Sequence, residues 1–265
     1  MLQPKQTTTN PETNQNSKEV TDNTQMAKLV LASLDLTNLS EVSTEEDIET
    51  LCSKASTPFG DVAAVCVWPR FVKTATEALR DSNINIATVV NFPRGGDELD
   101  KILRDTESAL EWGANEIDVV MPYKKFLEQK YEDVNQVLWG VRRAVPNGCL
   151  VKVILETGVL ERADLVQNAA QIAIQCGADF IKTSTGKTNV SATLGAVEAI
   201  LQAIRLEGRL VGVKPSGGIK TLNEARQYVE LLEKYMGPCS ANSTTLRFGA
   251  SGLYDSLVQE LQTDS

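Results

Sequence analysis

Asp179-Phe180-Ile181-Lys182-Thr183-Ser184-Thr185-Gly186-Lys187 puts a lysine directly after an apolar pair and a run of hydroxyls and glycine directly after the lysine. Phe180 and Ile181 read as the body of a short buried strand, with Lys182 at its C-terminal end. Low-dielectric walls disfavour an ammonium and lower its pKa, which is how an amine becomes a nucleophile near neutral pH. The following hydroxyls, flexible backbone and Lys187 suit an anion such as phosphate. Taken alone, a strand-end lysine more often reaches out to solvent along its aliphatic stem. The rest of the chain decides between the two readings.

Outward from this stretch, strand-like and helix-like segments alternate. Strands are expected at residues 29–36, 62–68, 84–91, 117–121, 150–156, 180–182, 210–214 and 245–248. Between them lie helical patterns. Ser43 with Glu46 reads as a capping box before Ile48, Leu51, Cys52 and Ala55. Asp97 reads as the cap of a helix whose stripe is Leu99, Ile102, Leu103, Thr106, Ala109 and Leu110. Alternation of this kind means parallel strands with crossover helices. An eightfold count in about 240 residues favours a closed (β/α)8 TIM barrel over a doubly wound sheet, and no Gly-x-Gly-x-x-Gly run marks a dinucleotide fold. Residues 1–27, polar and rich in Thr, Asn and Gln, read as a disordered tail; residues 28–265 form the barrel domain.

An internal echo places more charge in the barrel. Trp112-Gly113-Ala114-Asn115-Glu116-Ile117-Asp118 parallels Cys176-Gly177-Ala178-Asp179-Phe180-Ile181-Lys182. Asp118 and Lys182 therefore share a register on the fourth and sixth strands. Alternate strands fill one interior layer of such a barrel, so the two should face each other. Lys214 ends the seventh strand beside Lys182, where a second ammonium would depress the first amine further. A buried ion-pair network without chemistry is the competing reading, but buried Asp and Lys are rare unless paired or functional. Lys152 and Glu156 on the fifth strand read either as members of this polar interior or as strand-end charges meeting solvent. Thr185-Gly186-Lys187, Ser216-Gly217-Gly218 and Gly249-Ala250-Ser251 follow the last three strands, where barrels commonly build a phosphate site.

The 265 residues are 42 % hydrophobic and 23 % charged, ordinary for a globular protein. A net charge of −9 gives no basic footprint for nucleic acid, so an anionic substrate must be captured by local lysines and backbone amides. Histidine is absent, which removes Ser-His triads, Cys-His dyads and histidine metal sites. The five cysteines form no C-x-x-C pair, as expected of free thiols in a reducing cytoplasm. No apolar stretch is long enough to span a membrane. The polar N-terminal segment lacks the apolar core of a secretory signal.

Ordered pieces along the whole of residues 34–251 resemble the class I, Schiff-base-forming deoxyribose-phosphate aldolases. They include Leu34-Asp35-Leu36-Thr37, Val65-Cys66-Val67-Trp68-Pro69-Arg70-Phe71, Val89-Val90-Asn91-Phe92-Pro93 and Glu116-Ile117-Asp118-Val119-Val120. Lys152-Val153-Ile154-Leu155-Glu156-Thr157-Gly158, the opening stretch, Gly212-Val213-Lys214-Pro215-Ser216-Gly217-Gly218 and Arg247-Phe248-Gly249-Ala250-Ser251 complete them. The resemblance implies that Lys182 forms the Schiff base and that Asp118 and Lys214 are the other catalytic residues. Thr183, Gly186, Lys187, Gly217, Gly218, Gly249 and Ser251 would hold the phosphate, with Asp35 and Lys152 in support. It implies reversible cleavage of 2-deoxy-D-ribose 5-phosphate to D-glyceraldehyde 3-phosphate and acetaldehyde, with no metal or other cofactor. Two departures stand out: Gly252 where many members have a second serine, and a C-terminus without the tyrosine that some members have. A phosphosugar isomerase on the same barrel and a non-catalytic phosphosugar-binding protein are the alternatives. A homo-oligomeric state is left open.

Overall fold

The computed structural model describes residues 11–263, with side chains from residue 22 onward. Eight strands form one parallel sheet: β1 Leu34–Asn38, β2 Ala64–Val67, β3 Asn85–Val90, β4 Glu116–Val120, β5 Leu150–Ile154, β6 Phe180–Lys182, β7 Gly212–Lys214 and β8 Phe248–Ala250. The sheet closes on itself. β8 pairs with β1 through Leu34↔Phe248, and the β7–β8 seam is held by bridges at Val213↔Leu246 and Ser216↔Gly249. This is the expected (β/α)8 barrel.

The strands are buried on both faces, as parallel strands under crossover helices must be. In β4 the alternation sends Ile117 and Val119 to the apolar core shared with the helices, while Glu116 and Asp118 enter the barrel. The interior is two-sided. Ala64, Cys66, Ala87 and Val89 of β2 and β3 make an apolar wall. The charged side chains come from β1, from β4 to β7 and from Arg247 just before β8. The ladder runs Asp118↔Lys152↔Phe180, so Lys182 lies two residues further along than Asp118. Strand tilt supplies that stagger across two strands and brings the side chains to one level.

Several expected boundaries move. Residues 29–32 are not strand but the end of a helix, Pro11–Ala32, that also covers much of the expected tail; residues 1–10 lie outside the described residues. The helix packs on helices Leu222–Met236 and Leu253–Thr263, burying Ala27, Val30 and Leu31 at i, i+3, i+4 spacing. Polar neighbours masked that short stripe. The capping box sits one residue later than expected: Thr44 is the cap and Asp47 the reciprocal acceptor, 2.8 Å from the Thr44 N–H. Asp97 caps nothing, because its carboxylate is taken by Lys125 at 2.9 Å, and Glu98 stands at the helix start. The last strand is residues 248–250, since Thr245 is spent in a turn with Ser240 and Asn242. Two short helices, Tyr123–Leu127 and Thr157–Leu160, carry too few residues to show a period. Among the described residues no helix is long and apolar enough to cross a membrane.

The N-terminal helix gives a stability prediction. Arg226 reaches Asp22 at 2.7 Å and Asn23 at 2.6 Å. Deleting residues 1–24 removes this half-exposed pair but leaves Ala27, Val30 and Leu31. The expected loss is about 1 kcal/mol or less, a fall of about 2–4 °C in Tm. Deleting through residue 31 also strips the buried stripe and is expected to cost several times more. Thermal unfolding of the two truncations checks this difference.

Candidate active site

Strand ends and tight loops bring the charged groups together. Asp118 is fully buried and receives three ammonium groups: Lys152 on Oδ1 at 2.8 Å, and Lys182 and Lys214 on Oδ2 at 2.8 and 2.7 Å. Lys214 also donates to Asp35, and Lys152 also meets Glu116 at 2.6 Å. Arg247 lies across the far side, bonding Asp35 at 2.6 Å and Glu116 at 2.9 Å, with its guanidinium 5.5 Å from the Phe180 ring. The expected cluster of Asp118, Lys182, Lys214, Asp35 and Lys152 is thus assembled.

The three lysines are not equivalent. Burial against the apolar wall, reinforced by the neighbouring Lys214 ammonium, holds Lys182 below the usual lysine value despite Asp118. Burial acts on Lys214 too, but Asp118 and Asp35 outweigh it and raise that amine. Lys152 stands well above its usual value for the same reason, with Asp118, Glu116 and Asp35 around it. Burial alone would raise Asp118, yet Lys152, Lys182 and Lys214 hold it well below the carboxylate range. Lys182 is therefore the amine most readily neutral.

A cavity of about 640 Å³ opens at the C-terminal ends of the strands, where barrels of this type place their chemistry. Lys182 lines it, whereas Asp118, Lys152, Lys214 and Arg247 are buried and outside its lining. The three glycine-bearing loops form its wall: Gly186 and Lys187, Gly217 and Gly218, Gly249 and Ser251. Close packing requires two of these glycines. A Cβ on Gly249 would come within 2.4 Å of Ser216 Oγ, and one on Gly217, which has φ +81°, within 2.6 Å of Ser191 Oγ. Thr183 does not line the cavity. It is buried, and its hydroxyl accepts the Ser216 N–H at 3.0 Å, tying β6 to the loop after β7. Lys187 reaches across the mouth to the Leu39 carbonyl at 2.9 Å.

Sequence reading missed four groups. Glu116 was detectable, being two residues before Asp118 on the same strand face. Arg247, Ser191 and Lys220 meet the site only through the closure of the barrel and its loops. Glu156, read as part of the polar interior or as a strand-end charge, has a different task. It holds a left-handed backbone, φ 57°, and takes hydrogen bonds from the Thr185 N–H and hydroxyl and from Thr188 Oγ1. It thereby pins the loop that carries Gly186 and Lys187. Glu156→Ala is expected to orphan the buried Thr185 donors at about 1–3 kcal/mol and to raise KM about tenfold with a smaller change in kcat. Steady-state kinetics with a melting curve separates this from simple unfolding.

Closed barrel, depressed buried amine and a loop-walled cavity at the strand ends together suit an enzyme that works on a carbonyl substrate. The chain belongs to the DeoC/LacD family of aldolases, whose model matches residues 29–243. It is 49 % identical over 236 residues to the deoxyribose-phosphate aldolase of Agrobacterium fabrum, covering 89 % of this chain and 91 % of that one. A solved deoxyribose phosphate aldolase from Aeropyrum pernix, described as tetrameric, has 27 % identity and a TM-score of 0.72, covering 92 % of this chain and 97 % of that one. A Toxoplasma gondii structure shares the fold at 24 % identity with a TM-score of 0.84, covering 93 % and 98 %.

Proposed function

We propose that this aldolase cleaves 2-deoxy-D-ribose 5-phosphate reversibly to D-glyceraldehyde 3-phosphate and acetaldehyde, with Lys182 as the imine-forming amine. The observation that carries the reading is that Lys182 alone, of the clustered cations, both lines the cavity and is held below its usual pKa. The relative from Agrobacterium fabrum supports the choice of substrate.

The neutral amine adds to the C1 aldehyde to give a carbinolamine. Loss of water then leaves an iminium, which withdraws electrons from the adjacent bond. Removal of the C3 hydroxyl proton breaks the C2–C3 bond. The C3 side leaves as the aldehyde of glyceraldehyde 3-phosphate, and the electron pair remains on Lys182 as an enamine. Protonation at C2 and addition of water release acetaldehyde and restore the amine. Asp118, in contact with the amine, moves protons through a water during addition and dehydration. Burial first, and the Lys214 charge with it, hold the Lys182 amine below its usual value. The Gly186, Gly217 and Gly249 loops, with Lys187 and Ser251, hold the phosphate away from the bond that breaks and so fix its orientation. Borohydride added with substrate should reduce an imine at Lys182 to a stable adduct. An isomerase or a binding protein would give none, and mapping the adduct to another lysine would reverse the assignment.

The cytoplasm is the proposed compartment, in keeping with cysteines that are unpaired in the structure. The tetrameric relative makes self-association the state to test, by light scattering.

A further inference from the structure

The ionic contacts beneath Lys182 close into a ring. Asp118 Oδ1 meets Lys152 at 2.8 Å, and Lys152 meets Glu116 Oε2 at 2.6 Å. Glu116 Oε1 meets Arg247 Nη2 at 2.9 Å, and Arg247 Nη1 meets Asp35 Oδ1 at 2.6 Å. Asp35 Oδ2 meets Lys214, and Lys214 returns to Asp118 Oδ2 at 2.7 Å. Carboxylate and cation alternate, three of each, and no side chain in the ring is more than 5 % exposed. The ring is formally neutral by itself. Lys182 is a seventh group, attached to an Asp118 oxygen that Lys214 already shares. A charged Lys182 would give the buried cluster a net positive charge beside the apolar wall of β2 and β3, and a neutral one leaves it balanced.

We propose that Glu116 and Arg247, neither of which lines the cavity, act as positioning residues that set the protonation state of Lys182 by keeping this ring at zero net charge. The proposal rests on Lys182 being the imine-forming amine. The charged groups around Lys182 are those of the ring, contributed by β1, β4, β5 and β7 and by Arg247 just before β8. On β2 the neighbour is the Cys66 thiol, which burial pushes up, so that it stays uncharged near neutrality. β3 contributes Ala87 and Val89 to the same wall. Lys187 and Lys220 stand in the cavity lining above.

Charge counting fixes the signs. Removing the Arg247 charge leaves the ring at −1, which favours the ammonium and raises the pKa of Lys182. Removing the Glu116 charge leaves it at +1 and lowers that pKa. Because the reactive form is the free amine, the rising limb of kcat/KM against pH should follow. Arg247→Met should move it about one unit towards alkaline pH, a tenfold loss on that limb. Glu116→Gln should move it towards acid. Arg247→Lys, which keeps the charge, should stay near the wild type, and the double variant Arg247→Met with Glu116→Gln should return towards it because balance is restored.

The test is the pH profile of kcat/KM for these four variants, run beside borohydride trapping of the wild type. Opposite shifts in the single variants, cancelled in the double, are the expected result. Limbs that stay put in folded variants, single shifts of the same sign, or a double variant that does not return would overturn the ring's role. If Arg247→Met fails to fold, an acid shift in Glu116→Gln that the double variant reverses carries the test, and its absence overturns the proposal. Failure to trap an imine on Lys182 in the wild type would instead strike the proposed function, so the two failures are told apart.

Discussion

Lys182→Ala is expected to abolish turnover, by about 10⁴-fold or more. Neither of the other interior amines, nor Lys187, is placed to take over. Lys152 and Lys214 lie beneath the cavity, each held by at least two carboxylates and raised above the usual lysine value. Lys187 stands at the mouth with its ammonium on the Leu39 carbonyl. The variant should fold, because the change leaves the balanced ring intact. The wild-type amine is depressed in the folded state, so between its folded and its usual pKa the unfolded chain binds more protons, and this group makes stability rise with pH. The variant should lack that slope. Initial rates, intact mass after borohydride and melting curves across pH test all of this. Residual activity near wild type, or an adduct that survives the substitution, would remove Lys182 from its role.

Lys214→Leu should give the second large effect. The substitution removes an ammonium that lies on both Asp118 and Asp35. Lys182 then has Asp118 Oδ2 to itself, and its pKa should rise. A rise of about two units leaves roughly a hundredfold less neutral amine on the acid side, so the rate should fall steeply near neutrality and recover in part as pH increases. Any deficit left at high pH measures what Lys214 does beyond its charge. Stability should fall as well, by about 3–5 kcal/mol, because two buried carboxylates lose a partner. Lys214 is raised in the folded state, so its stabilisation is fully present below the usual lysine value and is lost only as pH climbs through the folded one. The stability deficit of the variant should therefore be flat through neutrality and shrink at strongly alkaline pH. A folded variant whose pH–rate profile keeps its wild-type shape would show that Lys214 does not tune the amine.

The site was legible where chemistry follows local order. Lys182 after Phe180-Ile181, Asp118 at the same offset from its glycine, and Lys214 at the end of its strand could be placed because strand side chains repeat every second residue and the barrel repeats its unit. The glycine loops were legible for the same reason. Helix ends were less so: Thr44 rather than Ser43 caps its helix, and Asp97 is drawn off by Lys125, because several acceptors within a residue or two compete on local geometry and on distant partners.

By itself, the sequence determined the eight-unit barrel, the presence of acid and amines inside it, and the glycine-bearing loops after its last three strands, all of which follow from periodicity and residue type. Tertiary structure alone set the three interior amines apart electrostatically. Lys152, Lys182 and Lys214 are all buried strand lysines, and their pKa values part because of partners up to 179 residues away, as for Lys214 with Asp35. It also decided that Arg247 and Glu116, 131 residues apart, close the charge ring, that Thr183 serves the backbone of the next loop, and that residues 29–32 finish a helix. Electrostatic balance depends on distance and burial, which barrel closure sets and no local pattern encodes.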